Sequence, residues 1–141
     1  MAIEPSIDDL RALAELRFKD AQHLLTAGRN SGAYYLAGYA IECGLKAVIA
    51  RGFRQGVIPS KRFVDRVYTH NLVELLSLSG LKETWDTEAD ASVDLKTSWT
   101  IVTAWDETSR YQMVDPFRAM AMLEAVGHHQ HGVLTWLKRH W

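Results

Sequence analysis

The stretch SGAYYLAGYAIECGLKAVIAR, residues 31–51, reads as one helix that is apolar almost all the way round. Two charges interrupt it, Glu42 and Lys46, four residues apart and therefore on one face. Tyr35 and Tyr39 precede them on that face, giving the stripe Tyr35, Tyr39, Glu42, Lys46. A helix apolar on every side belongs at the centre of a core. A carboxylate placed there is costly unless a partner and hydrogen bonds compensate it. Two explanations stand side by side: an ion pair that pins the packing, or a site whose chemistry needs the charge. The opposite face carries Ala33, Ala37, Ala40, Gly44 and Ala47. Small residues at that spacing let a neighbouring helix approach to the short end of the usual ~8–10 Å.

Working outward, the helix before it starts at Ser6, an N-cap with Asp8 and Asp9 in its first turn. Leu10, Leu13, Ala14, Arg17, Phe18, Ala21, Leu24 and Leu25 keep a helical period as far as Gly28, a C-cap residue. Residues 29–32 then turn the chain into the central helix, which predicts an antiparallel hairpin. Residues 52–69 contain Gly52, Gly56 and Pro59, have no sustained period and read as a long loop. That loop is basic. Arg54, Lys61, Arg62 and Arg66 face a lone Asp65, with Arg51 just ahead, and are candidates for phosphate contact or simply a solvated connector.

A short helix follows, opened by Asn71 and Glu74 at capping-box spacing, with Leu72, Leu75, Leu76 and Leu78 on its apolar face. The acidic run Glu83, Asp86, Glu88, Asp90 and Asp94 grades into a helix with Leu95, Trp99, Val102 and Trp105 inward. A break at residues 107–109 puts Arg110 and Tyr111 in a turn, and Asp115-Pro116 opens a last helix running nearly to the C-terminus. Neither strand alternation nor internal repeats are present. The expectation is an all-α, up-and-down bundle of about five helices, a single domain over residues 1–141.

Composition narrows the function classes. A net charge of −1 supplies no global field for nucleic acid and no acidic tail for a basic partner. The single cysteine, Cys43, has no internal disulfide partner and lies within the apolar helix, which fits a reducing cytoplasm. The N-terminal MAIEPSIDDLRALAELRFKD is charged and amphipathic rather than a secretory leader. Glu42 and Lys46 interrupt the longest apolar run, so no membrane span is expected. His128 and His131 share a face of the last helix as read, yet no Cys or acid stands at metal-ligand spacing beside them. No metal or cofactor is expected.

Three elements together carry a family resemblance: AYYLAGYAIECGLKA in the central helix, His70-Asn71-Leu72, and Trp105 followed by Arg110-Tyr111. The chain resembles the HEPN domain family (higher eukaryotes and prokaryotes nucleotide-binding) over nearly its whole length. The resemblance implies a small helical bundle, commonly homodimeric, often paired with a minimal nucleotidyltransferase in a toxin–antitoxin system. Many such proteins are metal-independent RNA endonucleases with an Arg-x(4-6)-His signature. In that pair the arginine holds phosphate charge while the imidazole moves the 2′-hydroxyl proton. This sequence departs from the signature. Arg66 and His70 are one residue too close, and the next histidine after Arg110 is His128.

The leading expectation is therefore a nucleotide- or RNA-associated partner protein with a polar cluster of Tyr39, Glu42, Lys46, Arg110 and Tyr111, Arg110 lying close to Glu42. The alternatives are an RNA endonuclease, with His70 and Arg110 as weak catalytic candidates, and a non-catalytic assembly module. A homodimer is expected through helices that carry the small-residue stripe or the C-terminal Trp136 and Trp141.

Overall fold

A computed structural model of the chain describes residues 4–141; residues 1–3, which open the stretch read against a secretory leader, lie outside the described part. The described residues form eight α-helices and one 3-10 turn, with no strand. The helices are α1 (Ile7–Thr26), α2 (Asn30–Arg51), α3 (Lys61–Val67), α4 (Leu72–Leu78), α5 (Lys82–Asp90), α6 (Val93–Thr103), α7 (Pro116–Gly127) and α8 (Val133–Lys138); the 3-10 turn, Glu107–Tyr111, lies between α6 and α7.

The all-α class stands, but eight helices replace the expected five, and each extra helix has a local cause. Within the supposed loop, Ser60 takes an extended conformation and accepts the Phe63 amide, which starts α3. The acidic run is split because Ser92, also extended, accepts the Leu95 amide and begins a new helix, α6. The last helix is cut at His128, whose φ of −54° and ψ of 136° leave helical space. All three breaks are made by single side chains or backbone torsions, which hydrophobic period does not register.

The expected caps elsewhere are in place. Ser6 and Asp9 form a reciprocal capping box at α1, and Asp115 caps α7 with Pro116 in its first turn. Gly28, at φ 74°, takes the left-handed turn that ends α1.

α2 is the axis of the molecule. Thirteen of its residues are buried, Glu42 among them, and α1, α4, α7 and α8 all pack on it. The small-residue face is consumed inside the chain: Ala33, Ala37, Ala40 and Ala47 are buried, and Gly44 faces Leu137 of α8 and the Trp141 ring. On another face of α2, Gly38 lies directly under the Trp105 indole. Trp105 sits there because its Nε1–H donates to the Tyr35 carbonyl, 3.1 Å away, while the two rings tilt together at 5.8 Å.

Candidate functional site

Glu42 is the single acidic residue of α2 and is buried, its side chain only 4% exposed. Its two oxygens have separate partners. Lys46 Nζ, one turn on along α2, donates to Oε2 at 3.3 Å. His70 Nδ1 lies 2.7 Å from Oε1. A carboxylate only accepts, so this contact places the imidazole proton on Nδ1 and leaves Nε2 for another partner. The His70 side chain is 52% exposed. One edge of the ring is thus clamped to a buried carboxylate while the rest faces outward.

Local sequence explains the clamp. Asn71 caps α4 by accepting the Glu74 amide, and Leu72, Leu75 and Leu76 bury the helix beside α2. His70 immediately precedes that cap, so the docking of α4 sets its side chain against the Glu42 turn.

Tyr39 joins the cluster at its margin. It stacks on Tyr35 with centroids 6.4 Å apart, and burial pushes its hydroxyl pKa above the ordinary value, with the Cys43 and Glu42 charges adding to the effect. Burial, with Glu42 again adding, pushes the Cys43 thiol up to about 11, so it remains a neutral buried group at physiological pH.

Arg110 and Tyr111 are not members of this cluster. The 3-10 turn leaves both exposed, the guanidinium 5.1 Å over the Tyr111 ring, and no hydrogen bond or ion pair joins Arg110 to Glu42 among the described residues. The arginine that does reach back to α2 is Arg118, which donates to the Tyr34 hydroxyl at 3.1 Å and lies over that ring. Arg118 begins α7, whose packing on α2 brings it home, whereas Arg110 ends a short turn with nothing folding over it. The partner that sequence spacing missed for Glu42 is His70, twenty-eight residues away. The local sign was a histidine directly before a capping asparagine and a leucine-rich helix.

The basic candidates divide. Lys61 pairs with Asp65 at 2.6 Å, and Arg66 pairs with Glu74 at 2.7 Å. Arg51, Arg54 and Arg62 are exposed and have no ion-pair partner among the described residues. Beside His70, a cleft of about 540 Å³ is lined by Thr69, Asn71, Glu74, Thr103, Trp105 and Asp106. Its acids leave it poorly suited to anions.

The C-terminal histidines lie in the turn between α7 and α8 rather than on one helix face. His128 Nδ1 accepts the Gln130 and His131 amides, its ring stacks on His131 at 3.5 Å, and His131 Nδ1 contacts Ser98 Oγ at 3.2 Å. The His128 bonds hold the turn, and the His131 contact ties it to α6. Among the described residues no group of three or more His, Cys, Asp or Glu side chains is arranged to hold a metal ion, and no helix is long and apolar enough to cross a membrane. Compared with known proteins, the chain matches no family model, no curated protein and no solved structure.

Proposed function

We propose that the chain is a HEPN-like helical protein of the cytoplasm that associates with RNA or nucleotides, as the partner of a minimal nucleotidyltransferase. The observation that carries this is the half-exposed His70 ring, held on a buried carboxylate at the end of a basic segment. An imidazole fixed at Nδ1 presents Nε2 at a set position. There it accepts a proton, or donates to a phosphate oxygen when the ring is charged.

Binding is favoured over cleavage. A base that takes a 2′-hydroxyl proton needs a cation on the same phosphate. Arg66 is committed to Glu74 and Arg110 to the Tyr111 face, so neither is held beside His70 by any bond. The test is an RNA-binding titration with purified protein at rising salt, run beside a metal-free cleavage assay. Salt-sensitive binding with intact RNA is expected. Metal-independent cleavage that vanishes in His70→Ala would establish the endonuclease alternative instead, and absence of any binding would remove the RNA reading.

One observation favours self-assembly as a second property. Tyr111, Met113, Phe117 and Met120 are all more than half exposed and close together in sequence around the start of α7. Exposed apolar groups so concentrated are a common mark of an interface.

A further inference from the structure

Two hollows lie along the segment joining α2 to α4, and neither is lined by His70 or Glu42. The larger, about 630 Å³, lies between Leu10, Ile49, Phe53, Pro59, Val67 and Tyr68. The smaller, about 270 Å³, shares Phe53 and Pro59 with it and is lined by Arg54. The two hollows adjoin at Phe53 and Pro59, and the pair is termed the trough. Its larger part falls within the ~300–1,000 Å³ typical of small-ligand sites.

Its walls are apolar and aromatic. Tyr68 stands at the mouth, 82% exposed, and the Phe53 ring is steadied edge-on by Phe63 at 5.8 Å. Charge is placed at its edges: Lys46, already donating to Glu42, lines the larger hollow with Glu4 as an acid, and Arg54, unpaired among the described residues, lines the smaller. Arg51 and Arg62, both exposed and without an acid partner among the described residues, lie on the adjoining segments. A flat apolar body with an anionic group attached matches that arrangement. An unpaired nucleotide has both parts, because every base presents a π-face to an aromatic ring while its phosphate seeks cations.

We propose that this trough holds an unpaired nucleotide of single-stranded RNA, its base against Tyr68 and Phe53 and its phosphate on Arg54 and the neighbouring arginines. The proposal rests on the RNA-associated reading above and adds the place and the strand state. A base inside a duplex is stacked on both faces and cannot enter, so the trough selects for single strands.

Fluorescence anisotropy of an end-labelled unpaired RNA oligomer, and of the same oligomer annealed to its complement, tests this. The wild-type chain should bind the single strand more tightly than the duplex. Tyr68→Ala should weaken single-strand binding roughly tenfold while Tyr68→Phe keeps it, since the ring and not the hydroxyl stacks. Tyr68 is exposed, so an unchanged melting curve will confirm that the Ala variant is folded. The double variant Arg54→Ala, Arg62→Ala should weaken binding and flatten its salt dependence. Competition by adenosine monophosphate at concentrations that match the oligomer's own affinity would mean that the site serves free nucleotides, overturning the single-strand assignment. Equal RNA affinity in wild type and Tyr68→Ala would overturn the trough while leaving RNA association standing. No RNA binding by the wild type would overturn both.

Discussion

Glu42 divides its two oxygens between an intrahelical lysine and a histidine brought from elsewhere in the chain. Both partners retain some exposure, so removing the carboxylate frees them to water rather than stranding a buried charge. Glu42→Gln should therefore cost roughly 1.5–3 kcal/mol, the range of hydrogen bonds to charged groups, less than for a fully sealed pair. Arg110→Met should stay within about 0.5 kcal/mol, because an exposed guanidinium over one exposed ring is all that it loses. Chemical denaturation of both variants checks the contrast; an equal, large loss from each would restore the Glu42–Arg110 pairing that spacing suggested.

The thiol one residue along makes a separate prediction. Cys43 titrates near 11 in the fold against 9.0 as its ordinary value, so the folded state holds its proton over a wider range. The resulting stability is complete below pH 9 and is lost as pH rises through about 11. Iodoacetamide at pH 8 should leave the native chain unlabelled and modify it fully in denaturant; rapid native labelling would show that the residue is accessible.

At the scale of elements, the decisive contacts are close approaches to α2. Gly38 lies under the Trp105 indole, and a Cβ there would run into the ring. Since Trp105 is buried and its Nε1 is engaged with the Tyr35 carbonyl, the indole has no easy retreat. Gly38→Ala should destabilise by about 1–3 kcal/mol despite raising helix propensity. A thermal melt at or above wild type would mean that the indole moves aside freely. Close packing on the small-residue face likewise leaves it no longer open to a second copy: Leu137, Leu134 and Trp141 cover it at Gly44, and its alanines are buried.

For the whole molecule, that closure redirects the expected dimer. Trp136 is buried against Trp85 and donates to Glu88, so it anchors the core rather than an interface. Any two-fold pairing should run through Tyr111, Met113, Phe117 and Met120 instead. Light scattering at micromolar concentration is expected to give the mass of a dimer, and Phe117→Asp with Met120→Asp that of a monomer. A monomeric wild type would remove the assembly proposal; a dimer indifferent to both substitutions would place the interface elsewhere.

The sequence by itself determined the helical class, the central place of α2, the burial of Glu42 and most of the caps. Those follow from period, from the apolar girth of residues 31–51 and from Ser, Asn, Asp and Gly at helix ends, all of which act within a few residues. It was less able to mark α3, which buries no residue and so has no apolar face like the leucines of the equally short α4. Nor did it mark the break at His128, a single torsion without periodic trace. Only the tertiary structure decided which distant group answers the buried carboxylate. Charge and spacing nominate any cation in a nearby turn, but the docking of α4 on α2 brings His70 to Glu42 and leaves Arg110 at the surface. The physical reason is that a buried charge requires a partner without specifying one; the packing of leucines beside His70 makes the choice.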